Sequence, residues 1–158
     1  MAGHDKLTPQ GVQFFKAIEE LKRLQVRIGY QRGKNSKRDE KGREVDYCDI
    51  ALFNELGTSN GIPSRPFLRD SVDTHASQID AAGKACIAEL SKGATAESIL
   101  KKLGVMQKGL VQQTIVDGSF APNAPSTVRR KKSDKPLIET GGMRKFVNVT
   151  ICKKGEFD

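Results

Sequence analysis

"ALFNELGTSNGIPSRPFLRDS", residues 51–71, decides how the rest of this chain is read. An apolar, helix-like phrase runs to Leu56 and meets Gly57, a residue free to take positive φ and stop a helix. A Thr-Ser-Asn-Gly turn follows. Pro63 and Pro66 then fix two φ angles around Arg65, and Pro66 has the position of a first helical residue. The order builds a stiff corner between two helices, not an active site. Glu55 lies across that corner from Arg65 and Arg69. It either staples the corner through one of them, or leaves Arg65 free to reach a neighbouring subunit.

Working backwards, Thr8 and Pro9 are a helix N-cap and first residue, followed by Phe14, Ile18 and Leu21 on one face. "VRIGY" (26–30) alternates as a half-buried strand with Val26, Ile28 and Tyr30 on one side. Residues 31–44 hold six basic and three acidic side chains and no apolar one. They read as a mobile basic loop extending to about residue 45, or a hairpin whose tip orders only against a partner. A short helix then starts near Asp46, with Ile50, Phe53 and Asn54 on one face.

Working forwards, Leu68, Val72, Ala76, Ile79, Gly83, Cys86 and Leu90 recur at helical spacing. They predict one long helix from Pro66 to Gly93, with small residues (Ala76, Ala82, Gly83, Ala85) for close approach of another helix. Thr95 caps a further helix continuing past Gly104, with Leu100, Leu103, Met106, Leu110 and Thr114 in its stripe. A Pro-rich basic connection with a short helical turn occupies about 118–136 and carries Arg129, Arg130, Lys131 and Lys132. After it, "KFVNVTICK" alternates as a strand. One domain over 1–158 is expected, of α+β class. A small antiparallel sheet would pair the strands near 28 and 149 and pack against one long helix and several shorter ones.

A net charge of +8 and a pI of 9.5 favour acidic partners such as nucleic acid, acidic protein faces or membrane surfaces, or simply a solvated basic surface. Cys48, Cys86 and Cys152 are odd in number and widely spaced. With only His4 and His75 to join them, no metal site or disulfide framework is expected, and the cysteines read as buried thiols of a reducing cytosol. The first ten residues lack the apolar run of a signal peptide, and no run suits a membrane span. No phosphate-cradling glycine motif, nucleophile elbow or zinc-binding HExxH occurs, and no acid/base constellation emerges from two histidines and unclustered acids. No enzyme and no cofactor is expected. A basic nucleic-acid-binding module is the rival reading. The basic runs, however, lack interleaved aromatics and any helix-turn-helix pattern.

"DIALFNELGTSNGIPSRPFLRDSV" resembles the signature of phage minor tail components that complete the tail and join it to the head. The resemblance lies at Asn54, Glu55, Gly57, Thr58, Ile62, Pro63, Arg65, Pro66, Phe67, Leu68 and Arg69. A second stretch is similar to the family's C-terminal phrase at Pro136, Leu137, Ile138, Glu139, Thr140, Gly141, Met143 and Val147, departing at Phe146 where Ser is usual. The resemblance spans about residues 26–152. It implies a non-catalytic virion protein made in the bacterial host cytoplasm and forming a homo-oligomeric ring at the head–tail junction. Its partners would be head-connector and tail-terminator or tail-tube proteins, with non-specific DNA contact in the lumen and no membrane. The contact residues it suggests are Glu55, Arg65, Phe67, Arg69, Arg129, Arg130, Lys131 and Lys132. Gly57, Pro63, Pro66, Thr140 and Gly141 would set the backbone.

Overall fold

The computed structural model describes residues 6–156. In chain order its elements are α1 (Pro9–Arg23), β1 (Leu24–Gly29), β2 (Ser36–Arg38), β3 (Glu44–Asp46), α2 (Tyr47–Leu56) and α3 (Phe67–Asp73). They continue with α4 (Ala76–Ser91), α5 (Ala96–Asp117), α6 (Pro125–Lys131), α7 (Gly142–Lys145) and β4 (Asn148–Lys153). Two small sheets, β1 with β4 and β2 with β3, accompany the helices, an α+β fold. The chain divides into two compact units. Unit 1 takes the residues up to Arg27, Ala76–Met106 and the chain from Val149; unit 2 takes Ile28–His75 and Gln107–Asn148.

Unit 1 is assembled by apolar stripes. The Thr8 hydroxyl accepts from Gly11 N at 3.1 Å and opens α1 beside Pro9, as the sequence predicts. Ala17, fully buried, joins Cys86 and Leu90 of α4 and Ile99 of α5, flanked by Phe14, Ile18, Leu21 and Leu103. Thr95 caps α5 by accepting from Ser98 N at 3.2 Å. Gly104 lies on α5 where a Cβ would stand 2.4 Å from Val149 and 2.8 Å from Val26, so the helix passes directly over β4 and β1 only because that side chain is missing.

The long helix predicted from Pro66 is interrupted. α3 ends at Asp73, Thr74 and His75 form a turn, and α4 restarts at Ala76. The cause is local: His75 Nδ1 donates to the Ser71 carbonyl at 3.0 Å, the acceptor that a continuing helix assigns to the His75 N–H. The longest helix is instead α5, 22 residues. Val72, counted in the apolar stripe, is exposed, and nothing lies within 4 Å of a Cβ built on Gly83, so that position meets no closely packed helix.

Unit 2 contains the quoted corner. Tyr47 and Ala51 of α2 pack with Phe67, Val111, Ile115, Leu137, Met143 and Val147 around one core. Phe53, grouped in the sequence on one face with Ile50 and Asn54, points outward and is exposed; the inward arc is Tyr47, Ala51 and Asn54. The basic stretch after β1 forms the β2–β3 hairpin, paired Ser36 with Asp46, Lys37 with Val45 and Arg38 with Glu44. No apolar side chain closes its tip. Asp39 does, accepting from Lys41 N and Arg43 N, each at 2.9 Å, and from Arg43 Nε at 2.8 Å.

Candidate functional site

Corner and core meet at Arg65. Its backbone N–H donates to Asn54 O at 2.6 Å. Its guanidinium donates to Ala121 O (2.8 Å), Asn54 Oδ1 (3.0 Å), Pro122 O (3.0 Å) and Asn123 Oδ1 (3.3 Å). Only 5% of Arg65 is exposed, and among the described residues no carboxylate lies within ion-pair distance of it. Burial pulls its pKa below the usual arginine value. Arginine nonetheless keeps its proton in proteins, so four neutral oxygens carry a buried cation. The fork fixes the 121–123 loop to the end of α2. Arg65 and Phe67, expected as contacts with other subunits, are therefore interior residues. Four of the five guanidinium N–H groups are bonded inside the chain, and the Phe67 ring is fully buried in the core.

Glu55 does staple the corner, but to backbone. Its two carboxylate oxygens accept from Leu68 N at 2.9 Å and Arg69 N at 3.0 Å, two of the orphan donors at the start of α3. The Arg69 side chain is exposed. Gly57 has φ 74° and ψ 177°, positive as expected but with extended ψ rather than the left-handed helical stop. A Cβ there would lie 2.8 Å from Ser64 N and 3.0 Å from Ile62 O, so glycine is required by conformation and by space. Pro63 and Pro66 flank Arg65 as read, with Pro66 as the residue before α3 rather than its first.

Beside this corner a cleft of about 270 Å³ opens in unit 2. Four cationic side chains line it (Lys37, Arg65, Arg130, Lys131) against one carboxylate, Glu139. Glu139 is ion-paired with Lys37, which holds its carboxyl below the ordinary carboxylate range. Arg130 reaches Glu40 of the hairpin tip at 2.7 Å. Lys131, half-buried, makes no hydrogen bond or ion pair among the described residues. Burial lowers its pKa, with Lys37, Arg130 and Arg65 acting the same way and Glu139 opposing them. Of the basic run, Arg129 and Lys132 are exposed and do not line the cleft.

Two residues missed in the sequence matter here. Asn123, between Pro122 and Pro125, accepts from Arg65 and donates to Lys135 O at 3.2 Å. Gly142 lies where a Cβ would come 1.9 Å from the Tyr47 hydroxyl. Gly141 has φ 77° and opens α7, while the neighbouring Thr140 is exposed at the cleft rim. The paired glycines of "TGG" carried the second signal: one for conformation, one for space.

A second surface feature belongs to α2. Leu52, Phe53 and Leu56 are exposed and fall within one arc of about 100° on the helix, opposite the buried arc. Ile62 of the following turn is exposed as well. Comparison of the chain with protein-family models, curated proteins and solved structures finds no match. Among the described residues no helix is long and apolar enough to cross a membrane, and no three His, Cys, Asp or Glu side chains cluster as metal ligands. His4 lies outside the described residues.

Proposed function

We propose that this chain is a non-catalytic structural protein of a tailed-phage virion, closing into a ring at the head–tail junction and binding the connector and tail proteins on either side. The observation that carries the reading is the outward face of α2. Leu52, Phe53 and Leu56 stand exposed on the helix that the Arg65 fork and the Glu55 cap hold rigid. An apolar face on a fixed corner is the kind of surface that soluble proteins reserve for association. A head-to-tail ring contact needs such a surface at a constant angle, because angular error accumulates around a closed ring. The two sequence stretches that resemble tail-completion proteins supply the core of the same unit: Phe67 from one, and Leu137, Met143 and Val147 from the other.

The test is assembly. Light scattering after size exclusion is expected to find a multi-subunit ring for the full chain, alone or with its neck partners. Leu56→Glu is expected to leave a monomer with an unchanged melting temperature. A chain that stays monomeric with those partners, or a Leu56→Glu variant that assembles normally, would overturn the reading.

A further inference from the structure

We propose that the cleft of unit 2 is a phosphate-binding site, with Lys131 and Arg130 as its principal donors and Glu139 as a built-in competitor for them. The proposal stands independently of ring formation. Its starting point is an imbalance of charge within one small cavity: Lys37, Arg65, Arg130 and Lys131 against Glu139 alone. Arg65 has four of its five N–H donors committed to oxygens of the chain and contributes mainly field. Lys37 is committed to Glu139. Among the described residues Lys131 is left half-buried with no hydrogen bond or ion pair, an arrangement that costs free energy unless an anion arrives. Arg130 reaches the cleft from the same helix, and its one partner, Glu40, is a solvent-exposed carboxylate that it can release at little cost.

The chemistry of the lining favours phosphate over a carboxylate. A carboxylate is already present, and a single lysine satisfies it. What remains is two further cations with the side chains of Thr127 and Thr140 beside them. An oxyanion with three acceptor oxygens and up to two charges uses such a set, and Arg with Lys is a common phosphate pair. A volume of about 270 Å³ falls short of the ~300–1,000 Å³ of sites that enclose whole small ligands. The cleft therefore takes the phosphate group itself. That group comes either from free phosphate or from a nucleic-acid backbone lying along the rim.

Titration calorimetry of the full chain at low salt tests this, with inorganic phosphate and a short single-stranded oligothymidylate as probes. Lys131→Gln and Arg130→Gln are each expected to weaken binding about tenfold, the loss of one charge-assisted hydrogen bond. Glu139→Gln should tighten it about fivefold by removing a like charge from the cleft. Lys16→Gln on α1, which also removes one positive charge, should change nothing. Thermal melts confirm that each variant is folded. Phosphate binding without oligothymidylate binding assigns the site to the free anion; oligothymidylate binding that phosphate displaces assigns it to the backbone. Three results would overturn the proposal. One is an equal loss with Lys16→Gln, which means diffuse charge. Another is equal binding of polyglutamate with the same variant pattern, which means an acidic protein partner. The third is no binding of either probe.

Discussion

In unit 2 a buried guanidinium reads four oxygens from two segments more than fifty positions apart in sequence, whereas the core of unit 1 is closed by Ala17, Cys86, Leu90 and Ile99. Apolar contacts are non-directional and tolerate exchange of similar volumes. A five-donor planar fork tolerates nothing of the sort, since each oxygen left behind is a buried acceptor without a partner. Away from the tight crossing at Gly104, unit 1 should therefore absorb conservative change, and unit 2 should fail at single atoms. Substitutions at matched positions put that contrast at risk.

Arg65→Ala should have the largest effect, a loss of roughly 3–5 kcal/mol by urea unfolding, because a cavity and several unpaired oxygens appear together. Arg65→Lys should recover only part of it, since one ammonium cannot reach oxygens of Asn54, Ala121 and Pro122 at once. Amide exchange should accelerate first in α2. A loss below ~1 kcal/mol, the net worth of one ordinary hydrogen bond, would mean that the fork is incidental and the two cores are alike.

Next comes Gly57→Val. A β-branched residue at φ 74° is strained by ~1–3 kcal/mol, and its Cβ would press on the Ser64 amide. The corner's reach along the chain is short, however. Because the helix breaks at Thr74, the corner orients only the seven residues of α3, about 10 Å at ~1.5 Å per residue. The loss should consequently appear in the melting temperature of the isolated chain, and not only in assembly. Unchanged melting would break the link between this glycine and the corner.

The helix caps sharpen the contrast at a smaller scale. Glu55→Gln removes one of two acceptors and points an amide donor at the α3 amides, which should cost ~1–2 kcal/mol. Thr8→Ala in unit 1 loses a single cap bond and should cost ~1 kcal/mol or less. The order of these two losses, measured by urea unfolding, is the informative result. A larger loss at Thr8 would contradict the greater sensitivity assigned to unit 2.

Much of this was legible from residue spacing. The Thr8–Pro9 start, the helix starting near Asp46, the strands near 28 and 149 and, of the α5 stripe, the buried Leu100, Leu110 and Thr114 all follow from local rules, and all are present. What was not legible depends on atoms distant in sequence. Arg65 reads as a surface residue because the oxygens that satisfy it lie at 121–123. Glu55 was matched to an arginine because a charge suggests a charge, when backbone amides were closer. The 31–44 stretch was judged by its lack of apolar residues, a rule that overlooks Asp39 closing a turn on its own backbone. The helix break at Thr74 is hidden because apolar periodicity runs through it, while one imidazole diverts a carbonyl.

Gly83 offers the smallest effect and the opposite sign. It sits in the middle of α4 with ordinary helical φ, and an added methyl meets nothing within 4 Å. Glycine in a helix interior costs ~0.5–1 kcal/mol relative to alanine, chiefly through the freedom it gives the unfolded chain. Gly83→Ala should therefore stabilise the chain by about that amount, with no change in the spectrum of the folded protein. At Gly57 the same exchange, glycine for alanine, should destabilise, because there the native φ is positive and the space is filled. One substitution type with two signs isolates what separates the units: conformation set by a specific network in one, by generic helical packing in the other. A loss of stability at Gly83 would reveal a neighbour pressed against α4, the close helix approach that its small residues suggest in the sequence.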